Sequence, residues 1–113
     1  MILATLDETL SYSIPNNGTA SCPCKITATM TGAEDGLKIT LLETGGFIFL
    51  DTLLHEGSVV EIDTNKEEVT INGIDVRQYV YFASVFFNLQ PGENTLTASG
   101  GEPLEVTFRE KFR

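Results

Sequence analysis

Two thiols one residue apart, Cys22-Pro23-Cys24, and a single imidazole, His55, are the side chains of this sequence best suited to nucleophilic or metal chemistry. A closed zinc site takes about four ligands, and His55 lies far along the chain from the cysteines, so the set is at most half a site. On an extended strand the two cysteine Cα atoms would sit about 6.5 Å apart, near the far limit for a disulfide, and reduced thiols are expected. A serine or cysteine nucleophile needs a base, yet no nucleophile-elbow pattern accompanies Leu54-His55-Glu56-Gly57. His55 therefore reads as a surface residue ahead of a strand. Carboxylates that act as a pair must face one cleft; Glu67 and Glu68 are adjacent on what reads as one strand and should point to opposite faces. Asp63 and Asp75 approach each other across a hairpin, but turn formation through side-chain to backbone hydrogen bonds explains both without calcium. Neither a phosphate-cradling glycine loop nor an EF-hand loop is present. No catalytic, metal-ligating or cofactor-binding residue is assigned, no cofactor is expected, and the chain does not read as an enzyme.

The charge balance narrows the partners. Seven Lys plus Arg against sixteen Asp plus Glu leave 7 − 16 = −9, with a pI near 4.3. Such a surface repels phosphates, and nucleic acid is excluded as a partner. Arg109, Lys111 and Arg113 place three of the seven basic residues at the carboxy terminus. That tip reads as a solvated terminus, the alternative being a pairing with acidic neighbours in an assembly. The longest apolar run, Tyr79 to Phe87, spans nine residues and includes a serine, too short for a membrane helix of about 18 residues. No membrane partner is expected. The amino terminus has no positive region and meets Asp7 and Glu8 early, unlike a signal peptide, so synthesis in the cytoplasm is expected.

Any site must be positioned by strands. Leu10, Tyr12 and Ile14 alternate with Thr9, Ser11 and Ser13; Ile26, Ala28 and Met30 alternate with threonines; Leu37, Ile39 and Leu41 repeat the pattern after Glu34-Asp35-Gly36. Val60 and Ile62, Val69 and Ile71, Leu96 and Ala98, and Leu104, Val106 and Phe108 complete at least seven candidate strands, each with one dry face. Turn signals separate them at Pro15-Asn16-Asn17-Gly18, Gly45-Gly46, Asp63-Thr64-Asn65-Lys66, Asn72-Gly73, Pro91-Gly92 and Gly100-Gly101. Asn72-Gly73 fits a type I′ hairpin turn and Pro91-Gly92 a type II turn. At 113 residues the chain has room for one domain. The fold class is all-β, an antiparallel β-sandwich, with a partly closed barrel as the alternative. The run Tyr79–Phe87 is apolar on both faces and reads either as core beneath a long connection or as an exposed aromatic contact surface.

Four stretches in order carry a family resemblance: Gly57-Ser-Val-Val-Glu-Ile-Asp-Thr64, Val69-Thr-Ile-Asn-Gly-Ile-Asp-Val76, Phe86-Phe-Asn-Leu-Gln-Pro-Gly-Glu-Asn-Thr95 and Val106-Thr-Phe-Arg-Glu-Lys-Phe112. From about Phe47 to Arg113, with weaker likeness before that, the chain resembles the carboxy-terminal domain of phage distal tail proteins, the siphovirus-type tail component family. The resemblance implies a galectin-like or jelly-roll sandwich, related in shape to carbohydrate-binding modules, serving as a scaffold or adaptor in a phage or prophage baseplate at the virion tail tip. Its implied partners are other tail proteins, namely tail tube, tip or receptor-binding proteins. The family's amino-terminal domain, which forms a hexameric ring, has no counterpart in residues 1–113. A hexamer is therefore expected only for a full-length protein, and a monomer or weak dimer for this chain. The implied shape also raises recognition of host cell-wall glycans. Sugars stack on exposed aromatic rings, and in the absence of Trp the platforms would be Tyr12, Tyr79 and Tyr81.

Overall fold

The computed structural model describes residues 2–3, 5–6, 11–99 and 104–109. Among these lie eleven strands and one short 3-10 turn. In chain order the strands are β1 (Ile2–Leu3), β2 (Thr5–Leu6), β3 (Ser11–Asn16), β4 (Cys24–Thr29), β5 (Leu37–Leu41), β6 (Gly46–Leu50), β7 (Val59–Asp63), β8 (Glu68–Ile71), β9 (Ile74–Asp75), β10 (Gly92–Ala98) and β11 (Leu104–Phe108). They form two antiparallel sheets, one ordered β1-β11-β4-β7-β8-β9 and the other β2-β3-β10-β5-β6. The architecture is the expected β-sandwich.

The alternation decides which residues meet between the sheets. One sheet contributes Ile26 and Ala28 of β4, Val60 and Ile62 of β7, Val69 of β8 and Val106 of β11. Facing them are Tyr12 and Ile14 of β3, Ile39 and Leu41 of β5, Ile48 and Leu50 of β6, and Leu96 of β10. Burying an Ile, Leu or Val side chain removes it from water at a gain of about 1.5 to 3 kcal/mol, and a one-residue slip in register would turn each of these outward. Register is accordingly strict: Ile26 opposes Ile62 and Val106, and Leu96 opposes both Tyr12 and Leu41.

Turn chemistry matches the hairpins. Asn72 and Gly73 carry φ of 51° and 83° between β8 and β9, as a type I′ turn requires. Gly92, at φ 95°, supplies the left-handed residue after Pro91. One expectation needs correction, and one strand lies beyond those the alternation showed. Glu67 belongs to the turn between β7 and β8 rather than to a strand, with φ 55°, because closing that hairpin takes a left-handed residue just ahead of Glu68. Gly46-Phe-Ile-Phe-Leu50, which shows no polar alternation, is strand β6. Leu10, Thr9, Gly100, Gly101, Lys111 and Arg113 lie outside the described residues.

Candidate interaction surface

The residues singled out for chemistry are dispersed. Cys22 and Cys24 are reduced and buried; the first receives a hydrogen bond from the Asn16 amide at 3.6 Å, the second from the Thr64 hydroxyl at 4.0 Å. Burial pushes the Cys24 thiol up to about 12; the nearby Cys22 and Asp63 act in the same direction, and the Thr64 hydrogen bond only partly opposes them. A thiol so protonated is a poor nucleophile and a poor metal ligand. His55 is exposed on the loop between β6 and β7. Asp63 accepts from the N–H groups of Asn65 and Lys66 at 2.9 and 3.1 Å, and Asp75 from that of Arg77 at 2.9 Å, so both form turns. No group of three or more His, Cys, Asp or Glu among the described residues is placed to hold a metal ion. Arg109 is exposed just beyond β11.

The long connection from β9 to β10 organises a different kind of surface. After the turn Arg77–Tyr79 it runs alongside the edge strand β6. The Asp51 N–H donates to the Tyr79 carbonyl at 2.9 Å, the Tyr81 N–H to the Phe49 carbonyl at 2.8 Å and the Val85 N–H to the Phe47 carbonyl at 2.8 Å. The Ser84 hydroxyl accepts from the Phe49 N–H at 3.0 Å. An edge strand that would otherwise present unpaired backbone groups is thereby covered. The same bonds tie the connection to β6.

This placement divides the run Tyr79–Phe87 between the two readings. Phe87 is buried, and Val80 and Phe86 pack against the core from partly buried positions. Tyr79, Tyr81, Phe82 and Val85 face solvent, Phe82 at 90% exposure. Because Ile48 and Leu50 point inward, their strand neighbours Phe47 and Phe49 point outward and meet this segment. Tyr81 stacks on Phe47 at 6.4 Å between ring centroids and meets Phe49 edge-on at 6.1 Å; Phe82 lies 4.8 Å from Tyr81. These spacings suit favourable ring pairs. Lys38 holds its ammonium 4.5 Å over the Phe47 ring. Gly36 makes room beneath Phe49, since a Cβ there would meet the Phe49 ring at 2.8 Å. Tyr12, by contrast, is a core residue at 5% exposure and is removed as a sugar platform, because the alternation that makes β3 a strand turns it inward.

At one end of the sandwich lies an open, largely polar depression of about 710 Å³. Thr19, Ser21, Asn65, Asn88 and Phe86 are among the residues that line it. Arg77 contacts two of the lining residues: its guanidinium lies 5.1 Å from the Phe86 ring and its Nε donates to the Glu67 carbonyl at 3.0 Å.

Fold and surface together define a β-sandwich module whose most developed feature is an ordered aromatic contact ledge. The chain belongs to the siphovirus-type tail component family: residues 17–112 match that family's C-terminal domain, which makes it a phage tail component. The match takes in the stretch before Phe47, where the sequence likeness is weaker. Among solved structures, the crystal structure of SPP1 Dit superimposes with a TM-score of 0.78 at 19% identity, over 88% of this chain. That protein is described as a paradigm of the hub adsorption apparatus in phages infecting Gram-positive bacteria, and this chain spans 42% of its length. At such identity the likeness is one of fold. No curated protein matches the chain.

Proposed function

We propose that residues 1–113 form one sandwich domain corresponding to the carboxy-terminal part of a distal tail protein, and that it acts as a non-enzymatic peripheral scaffold or adaptor in the tail tip or baseplate. The observation that carries this reading is the family match over residues 17–112, supported by the shared fold. The geometry suits the role: two sheets locked by strict register give a rigid body, its two thiols are buried, and Asp63 and Asp75 are engaged in turns. Its partners are then neighbouring tail proteins, met after synthesis and assembly in the bacterial host cytoplasm. Cryo-imaging of particles carrying a labelled copy tests this directly. Density at the tail tip is expected, and label confined to the capsid or absent from particles would refute it. Native mass spectrometry of the isolated chain should show a monomer or weak dimer, ring formation being left to the full-length protein.

A second reading, recognition of host cell-wall glycan, draws on one observation, the exposure of Tyr79 and Tyr81 beside Phe82. Its test is binding of the purified chain to cell-wall polysaccharide. Binding that disappears in Tyr79→Ala or Tyr81→Ala would establish it, whereas the scaffold reading expects none.

A further inference from the structure

We infer that the aromatic ledge is a docking site for another protein, one that receives Phe82 in an apolar pocket rimmed by lysines or arginines. This rests on the tail reading above and names the surface through which the adaptor acts. The shape of the ledge selects the occupant first. Phe82 stands 90% exposed on rings that are themselves packed, Tyr81 against Phe47 and Phe49, so it projects as a knob from a rigid base. Aromatic side chains of this kind, pre-ordered and fully able to be desolvated, are typical anchors of protein interfaces. A saccharide site needs a concavity with polar groups aimed at hydroxyls. Here the aromatic surface is a projection instead, and three of its polar neighbours are already engaged: the Ser84 hydroxyl accepts from the Phe49 N–H, the Ser99 hydroxyl accepts from the Lys38 N–H at 2.9 Å, and the Lys38 ammonium sits on Phe47.

Charge selects the rim. Asp51, bonded through its N–H to Tyr79, is exposed at one end of the ledge, and exposed Asp35 immediately precedes the glycine that lies under Phe49. The chain as a whole carries −9. Among the described residues Lys38, over Phe47, is the one cation placed on the ledge, and the two acids outnumber it; a basic rim complements this balance and speeds encounter, whereas an acidic one, including that of a second copy of this chain, is repelled.

The test is site-specific photo-crosslinking in assembled tails, with a benzophenone amino acid at position 82 and, as control, at Ile74, which is 69% exposed on the far edge strand β9. The expected result is an adduct from position 82 to a different tail protein, mapped beside Lys or Arg, at least tenfold above the control. Phe82→Asp should abolish incorporation of the neighbour while leaving the melting temperature unchanged, because Phe82 contributes nothing to the core. Tails that contain the chain but give no adduct from position 82 above the control overturn the inference alone, as does an adduct to a second copy. Loss of cell-wall binding in Phe82→Asp overturns it in favour of a glycan. Absence of the chain from tails overturns the tail reading and this inference together.

Discussion

Asn94 shows how much one side chain can organise. It is fully buried, donates to the carbonyls of Ile14, Gln90 and Gly92 at 3.3, 2.8 and 3.1 Å, and accepts from the Gln90 N–H at 2.8 Å. It thus ties the Pro91-Gly92 turn to β3. Asn94→Ala removes the partner of these buried and half-buried backbone groups, and urea denaturation should show a loss of roughly 2–3 kcal/mol. The thiols give a second residue-scale expectation. With its pKa raised from 9.0 to about 12, the folded Cys24 keeps its proton where the unfolded chain loses it. Its contribution is complete below pH 9.0 and falls away as pH rises toward about 12. Titration with a thiol-specific disulfide reagent at pH 8 should find Cys24 unreactive in the native protein and fully reactive in denaturant. Rapid native labelling would contradict the burial. Glu43 runs the other way: partial burial works against its carboxylate, but hydrogen bonds from the Thr95 N–H and hydroxyl at 2.7 and 2.8 Å outweigh it and hold the pKa below the ordinary value of 4.5. Its small contribution is present above pH 4.5 and is lost as pH falls through the lowered value.

At the scale of elements, turns carry the testable strain. Glu67 occupies a left-handed conformation that costs an L-residue roughly 1–2 kcal/mol, partly offset by an exposed 3.8 Å contact with Arg77 that is worth little. Glu67→Gly should raise stability by roughly 0.5 kcal/mol, whereas Gly73→Ala, at φ 83°, should lower it by about 1 kcal/mol. A Glu67→Gly variant that melts lower would show that the hairpin is held by the side chain instead. The turn at Asn72-Gly73 was legible because Asn and Gly are the residues such a turn needs, and strands such as Ile26-Thr-Ala-Thr-Met30 were legible because one face is dry and the other wet. Strand β6 was not legible, since Phe47 and Phe49 put apolar rings on its outer face and erase the alternation. The ledge itself was half legible. The run Tyr79–Phe87 announces an aromatic surface, but pairing with β6 is a contact between distant segments, and only that pairing decides that Phe87 goes in while Phe82 goes out.

For the whole molecule, the excess of nine negative charges sets solution behaviour independently of any partner. Among the described residues the ion pairs are few and exposed: Lys25 meets Glu61 at 3.0 Å, and Arg77 meets Glu67 at 3.8 Å. Most acids therefore repel one another across a small body, which favours the expanded chain at neutral pH. Salt at about 0.5 M shortens the screening length to a few ångströms, and should raise the melting temperature at pH 7 by a few degrees. Near the pI of about 4.3 the net charge vanishes and the same salt should do little for stability, while solubility passes through its minimum. Adding salt has an opposite consequence for docking through the ledge, because screening weakens the attraction between Asp35, Asp51 and a basic rim. Stabilisation of the chain and slower association with its neighbour should therefore appear together over one salt titration. A common direction for both would mean that the ledge is recognised through its aromatic rings alone.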